Sequence, residues 1–406
     1  MSVQRVVLAL CLWAPAWAFA WTFSPVIRVA ELQQANQFAH LESSGNRAIA
    51  ISNKQIAIAW EDNRSGQPQV YVAIKGLNDS SFSPALPVSD NGPAYEPAMA
   101  GLGDGRFLIL WEAKDQVWAR IVSAQHAGSV QQLSTQPARE ATLSARGDGQ
   151  VWIAWAQKAG GHYQIVASQA SVRGEHVQLT AVTPVDPVVP KQDQLYPSIA
   201  SNAKGVVIGW EDRRFGHTRI FTAFAPTGQG FGPLRQLNEL PPKRSDVYGN
   251  GTGAMRVVLA GNGSAKVLAC WLDKRDFAEG YDVYAAYSQD GGRTFYGNDK
   301  VEDMLGANQP QWHAVSAMDP AGHAVVVWDD QRDGNADLWM SWHSAAGWSD
   351  NVSPPGANGE AEQTQPAITF DRDGRLHLAF LERDKGVTAI RYMLATPSPG
   401  QFASGQ

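Results

Sequence analysis

Short apolar runs ending in an aromatic residue recur seven times along this chain. They read Ile-Ala-Ile-Ala-Trp60, Phe-Leu-Ile-Leu-Trp111, Val-Trp-Ile-Ala-Trp155, Val-Val-Ile-Gly-Trp210, Val-Leu-Ala-Cys-Trp271, Val-Val-Val-Trp328 and Leu-His-Leu-Ala-Phe380. Each run is four or five residues long, rich in β-branched side chains and flanked by polar turn residues. That is the pattern of a strand covered on both faces. The aromatics are 51, 44, 55, 61, 57 and 52 residues apart. A strand-rich period near fifty predicts like sheets stacked around an axis, one blade per repeat. The expected fold is therefore all-β, a seven-bladed β-propeller of four-stranded blades, with six blades as the alternative.

The second repeat shows the internal order. Pro97-Ala98-Met99-Ala100 reads as a short inner strand and Gly103-Asp104-Gly105 as a tight turn. Arg106 to Trp111 forms the second strand, Val117 to Val122 the third and Val130 to Leu133 the fourth. Inner strands of the other blades begin near Ala48, Ala141, Pro197, Val257, Ala314 and Pro366, and outer strands follow Phe82, Phe231, Phe295 and Trp348. The last repeat has no outer strand of its own. Phe23-Ser24-Pro25-Val26-Ile27-Arg28-Val29 matches Phe82-Ser83-Pro84-Ala85-Leu86-Pro87-Val88 in pattern, so the N-terminal strand is expected to complete the seventh blade. Closure of this kind removes a bare sheet edge.

Before that strand lies a different segment. Arg5 precedes an apolar stretch from Val6 to Ala20 that ends in Ala18-Phe19-Ala20, a small-residue cleavage pattern. The expected organisation is a signal peptide over 1–20, one propeller over 21–396 and a flexible tail over 397–406, with the protein secreted or periplasmic after cleavage near Ala20. Cys11 falls in the leader, which leaves Cys270 in the mature chain and no intrachain disulfide. The 406 residues are 44% apolar and 18% charged, enough for a large core. Net charge is −6 and no basic stretch has the density to track phosphates, which argues against a nucleic-acid partner. A monomer without a membrane span in the mature chain is expected.

Two motifs carry family information. Ser288-Gln289-Asp290-Gly291-Gly292-Arg293-Thr294-Phe295 joins the third and fourth strands of blade five. Its Ser288, Asp290, Gly292, Thr294 and Phe295 suit a turn closed by side-chain bonds to backbone N–H groups. A second phrase, W-x-D-x-R, occurs as Trp60-Glu61-Asp62-Asn63-Arg64, Trp210-Glu211-Asp212-Arg213-Arg214, Trp271-Leu272-Asp273-Lys274-Arg275 and Trp328-Asp329-Asp330-Gln331-Arg332. Four copies point to folding, because a single site needs no duplicates of its parts. The octapeptide resembles the Asp-box of bacterial-neuraminidase-type repeats, and both phrases are similar to those of secreted sialidase-like propellers. The resemblance implies that this turn is structural and faces away from the ligand side. Sialidases carry an early Arg-Ile-Pro motif. Here Ile27-Arg28-Val29 lacks the proline, so no catalytic residue is carried over from that family.

The ligand side of a propeller is built from the loops that lead into the inner strands. The residue just before each inner strand points at the central mouth. Across the blades these are Asn46, Glu96, Glu140, Tyr196, Arg256, His313 and Gln365, a set that does not repeat. Three long leading loops, 183–196, 238–256 and 301–313, add Lys191, Asp193, Lys243, Arg244, Asp246, Tyr248, Gln309 and Trp312. Rings beside Arg and carboxylates suit sugars, whose apolar faces stack and whose hydroxyls bond. Arg244, Tyr248, Arg256, Trp312, His313 and Tyr196 are the candidate ligand contacts. The leading expectation is a glycan or an envelope protein bound without sialidase turnover. A carbohydrate-active enzyme, lyase or glycoside hydrolase, is the first alternative, with Tyr196, Arg256, His313, Glu96 and Glu140 as candidate catalytic groups. A protein-interaction scaffold is the second. No cofactor and no metal are expected, since no loop carries a full oxygen-ligand set.

Overall fold

The computed structural model describes residues 21–34, 36–90, 92–146, 149–239, 253–275, 280–303, 309–399 and 402. The leader over 1–20 and the candidates Lys243, Arg244, Asp246 and Tyr248 lie outside the described residues. All regular elements among them are strands. They form seven antiparallel sheets, one per aromatic run, each ordered from an inner to an outer strand. Blade two runs Tyr95–Gly101, Phe107–Ala113, Gln116–Val122 and Gln131–Gln132, as the repeat predicts.

Closure follows the expected route. Trp21–Phe23 and Ile27–Leu32 both pair antiparallel with the last strand, Val387–Pro397, in registers such as Phe23 with Ala395 and Ile27 with Tyr392. Trp21 is buried against Trp342, ring centroids 6.0 Å apart, and Val29, Ala30 and Leu32 enter the core between blades seven and one. Two details differ from the sequence reading. Trp348 lies within its outer strand, Gly347–Trp348, instead of preceding it. The segment 183–196 is not loop throughout: Thr183–Pro184 pairs in blade three, and Gln194–Asn202 is already the next inner strand.

The core is divided among the seven clefts between blades. Trp60, Trp155, Trp210, Trp271 and Trp328 are fully buried in these clefts, and Trp111 nearly so. The W-x-D-x-R phrase turns out to be a hairpin clamp. In blade six, Trp328 Nε1 donates to Asp330 Oδ2 at 3.0 Å, and the Arg332 backbone N–H and Nε donate to Asp330 Oδ1 at 3.1 and 2.9 Å. The Arg332 guanidinium then lies over the Trp339 ring, 4.1 Å from its centroid. Asp62 and Asp212 repeat this with Arg64 over Tyr71 and Arg214 over Phe221, and Asp273 does so with Arg275 over Tyr284, whose Nη2 donates at 2.7 Å in place of Nε. A buried carboxylate is tolerable only when its lone pairs are taken up in this way.

The Ser288–Phe295 turn is equally structural. Ser288 Oγ accepts from the Gly292 N–H at 2.8 Å, while Asp290 accepts from the Arg293 and Thr294 N–H groups and from Thr294 Oγ1. These bonds hold the Asp290 carboxyl down at about 2, overcoming the opposing effect of burial. Phe295 packs on the cleft between blades four and five. A Cβ at Gly292, where φ is +97°, would stand 2.5 Å from Val207, so this glycine lets the turn press on blade four. The turn bonds Asn202, at the far end of blade four's inner strand, and so sits on the face opposite the leading loops.

Candidate functional site

The inner strands of blades two to seven carry a bulge at the same place. In blade two, Tyr95 pairs with Glu112 and Ala98 with Leu110, so Glu96 and Pro97 together oppose Trp111. Equivalent register shifts occur in blades three to seven. The first bulge residue takes a left-handed backbone, and these are the residues picked from the sequence. Asn46, Glu96, Glu140, Tyr196, Arg256, His313 and Gln365 all have φ between 49° and 56°. Left-handed geometry costs an L-residue roughly 1–2 kcal/mol. Seven copies make it a property of the architecture; what is particular to this protein is which side chains project.

Five of the seven strained N–H groups are capped by a side chain of the preceding blade. Glu96 N–H donates to Glu61 Oε2 at 3.2 Å, and Arg256 N–H to Glu211 Oε1 at 2.8 Å. Glu140 N–H donates to Glu112, and Gln365 N–H to Asp329 Oδ1 at 3.1 Å. Each of these acids directly follows its blade's tryptophan. Where that place holds Ala156 or Leu381, the bulge residue of the same blade supplies the acceptor. Glu140 Oε2 takes the Tyr196 N–H at 2.6 Å, and Gln365 Oε1 takes the Leu41 N–H at 2.9 Å. Sequence reasoning missed Glu61, Glu112, Glu211 and Asp329. Their signal was present as an acid after the aromatic in four repeats.

Blade one departs from this rule. Five extra residues, Leu41–Gly45, separate His40 from the bulge at Asn46, as the pairings of His40 with Glu61 and Ile49 with Ile58 require. The insertion turns inward. A Cβ at Gly45 would meet Thr142 and Ser198 of blades three and four, and Asn46 Nδ2 donates across to the Ala314 carbonyl of blade six at 3.3 Å. Asn46 is therefore correctly placed in the bulge series, but its side chain ties down a plug across the channel. Its own N–H goes to the Ser43 carbonyl.

Glu42, on this plug, completes the mouth and was not foreseen. Its carboxylate lies 3.3 Å from Arg256 Nη2 and 3.7 Å from His313 Nε2. The Arg256 guanidinium sits 3.8 Å from the Tyr196 ring centroid, a close cation–π stack. His313 Nδ1 is 2.8 Å from Asp329 Oδ1, which fixes the ring. Burial lowers the pKa of His313, but Asp329 and Glu42 outweigh it and the net direction is up.

Acids surround the same mouth. Burial raises Glu61, Glu140 and Glu211 to about 7, and burial with repulsion from Glu140 raises Glu96 to about 7. Glu112 rises further, to about 8, by burial and repulsion from Glu96. Glu96 Oε2 is buried with no hydrogen-bond partner in the protein. These groups can exchange protons near neutral pH, which is what general acid–base chemistry needs. Tyr95 and Trp312, each next to a bulge residue, are 40% and 39% exposed, and Trp312 leans on Tyr281 at 5.5 Å. Asp193 instead serves the blade-three hairpin, accepting the Tyr163 N–H at 2.9 Å. Among the described residues no group of three or more His, Cys, Asp or Glu is arranged to hold a metal ion.

The sheet order and the bulge ring define a seven-bladed β-propeller. No family model matches the sequence, and no curated protein does. Similar solved structures include an oligogalacturonate lyase from Vibrio parahaemolyticus, with a TM-score of 0.52 and 9% identity over 94% of this chain and 97% of that one. The Cps50 (Swd1) β-propeller domain of Myceliophteria thermophila gives a TM-score of 0.51 and 12% identity over 91% and 99%. A protein of unknown function from Dyadobacter fermentans gives 0.51 and 8% over 93% and 100%. Likeness at these identities is a likeness of fold.

Proposed function

We propose that this protein is an exported propeller that binds a glycan at the mouth of its central channel. The observation that carries the reading is the convergence of Tyr196, Arg256, His313 and Glu42 with a bank of protonatable carboxylates, and with Tyr95 and Trp312 exposed next to bulge residues. Sugars are recognised by such a mixture of stacking faces and aimed polar groups. A scaffold that gripped protein partners through this face would present a flatter and more apolar surface. Kinship with sialidase-like propellers rests on the Ser288–Phe295 turn, and export on the character of residues 1–20. The ligand class we favour is an acidic glycan, because Arg256 can exchange Glu42 for a substrate carboxylate.

A glycan array followed by titration of the best ligand tests this. Arg256→Ala should abolish binding; undiminished binding would remove the mouth from consideration.

Catalysis is the second reading, and one observation favours it. Glu96 presents an unbonded, protonatable carboxyl oxygen in the same mouth as His313. In a uronate lyase, a cation such as Arg256 would neutralise the substrate carboxylate while His313 or Tyr196 removed a proton and a carboxylic acid protonated the leaving oxygen. The similar fold of an oligogalacturonate lyase makes polygalacturonate the first substrate to try. Appearance of unsaturated product by ultraviolet absorbance, lost in His313→Ala, would support turnover. Binding without product would leave the glycan-binding reading alone.

A further inference from the structure

One cleft carries the stacking arrangement of the mouth twice. Tyr196 and Tyr163 both pack on the apolar cluster between blades three and four. Tyr196 stands at the inner end, in the bulge of blade four's inner strand. Tyr163 stands farther from the axis, where the second strand of blade three, Val151–Ala159, turns into the third, His162–Arg173. Each ring carries a guanidinium. Arg256 lies 3.8 Å from the Tyr196 centroid, and Arg139 lies 4.2 Å from that of Tyr163. Lys158 Nζ adds a second cation 5.1 Å from the Tyr163 centroid.

The two stations adjoin through Glu140. Its Oε1 is 3.4 Å from Arg139 Nε, and its Oε2 accepts the Tyr196 N–H at 2.6 Å. Burial raises the pKa of Glu140 and of Glu96, and the charges of Arg139 and Arg256 both act against that rise in each acid. The two guanidinium groups therefore border one pair of carboxyl groups. The outer station is built but its arginine is not saturated. Arg139 Nε is buried and out of line for a hydrogen bond to Glu140, while the side chain as a whole is 39% exposed. The Tyr163 backbone is anchored from below, where its N–H donates to Asp193 Oδ1 at 2.9 Å.

We propose that the ligand is an acidic oligosaccharide lying along the cleft between blades three and four, with one sugar carboxylate at Arg256 and that of a neighbouring sugar at Arg139 and Lys158. The inference rests on the glycan-binding reading above and adds the length and charge pattern of the ligand. Guanidinium groups take carboxylates through parallel N–H bonds. A guanidinium already held against a tyrosine face loses less side-chain freedom on binding. Two linked contacts make the second one intramolecular, so a chain gains affinity that a single sugar cannot.

Calorimetric titration of the full mature chain with galacturonate and with trigalacturonate, at low ionic strength, tests the proposal. The trimer should bind about tenfold or more tighter than the single sugar, the value of a charge-assisted bond. In Arg139→Gln that ratio should fall to about three or less, which is the statistical advantage of three units. In Lys158→Gln it should fall about threefold, as suits an exposed cation. Equal affinity for the two saccharides in the wild-type chain, or an undiminished ratio in Arg139→Gln, would overturn the outer station and leave the mouth standing. Binding of neither saccharide would overturn this inference, and the glycan array then decides the reading of the mouth by itself. Should Arg139→Gln fail to fold, Lys158→Gln decides the matter, and an undiminished ratio there refutes the outer station.

Discussion

Replacing Glu61 by glutamine isolates the cost of burying an acid at the mouth. Among the described residues Glu61 has no arginine partner to lose. Its neighbours are the Glu96 N–H, which it accepts at 3.2 Å, and the like charges of Glu96 and Asp62. Glutamine keeps the carbonyl acceptor and the shape while removing the charge. Burial raises the folded-state pKa to about 7 from an ordinary 4.5. Ionisation is thus easier in the unfolded chain. The stability contributed by the protonated acid is complete below pH 4.5 and disappears as pH rises through about 7. At about 1.4 kcal/mol per pKa unit the whole loss is roughly 3 kcal/mol, and about 2–3 kcal/mol should remain after the mouth relaxes. Glu61→Gln should therefore be more stable than the parent by that amount at pH 8.5 and nearly equal to it at pH 4.5. Denaturant unfolding followed by tryptophan fluorescence at both pH values measures the difference. An equal shift at the two pH values, or destabilisation at pH 8.5, would refute the desolvation argument.

Deleting residues 21–32 removes both closing strands and should lower the melting temperature of the whole ring, read as one transition in circular dichroism; an unchanged melt would show that closure is unnecessary. Asp330→Ala strands Arg332 and Trp328 in the blade-six clamp and should cost about 3–5 kcal/mol in urea unfolding, with ligand binding at the mouth retained in the folded fraction.

The blades were legible because their signal is apolar and periodic. Trp60 to Phe380 count them, and the likeness of Phe23–Val29 to Phe82–Val88 marks the closing strand. The mouth was half legible. Glu96, Glu140, Tyr196, Arg256, His313 and Gln365 could be found because they sit at a fixed offset from a repeating strand. Glu61, Glu112, Glu211 and Asp329 could not, because beside a tryptophan they read as parts of the hairpin. Their role as caps depends on a register shift in the next blade, a contact between residues some thirty to forty-five positions apart. Leu41–Gly45 was illegible for another reason: an insertion before an inner strand can fold outward or into the channel, and only the contacts of Gly45 and Asn46 decide which.

The seven bulges have a directional consequence. Main-chain pairing sets their geometry, so each projecting side chain can differ from the next, and around the rim they do. Acids crowd the arc of blades two and three, while guanidinium and imidazole occupy blades five and six. Glu42, Glu211 and Asp329 counter the charge of Arg256 and His313, so what differs from one arc to the other is the kind of bond on offer rather than a net field. A guest over the axis would meet donors in one quarter and acids in another, so turning it about the axis changes every contact it makes.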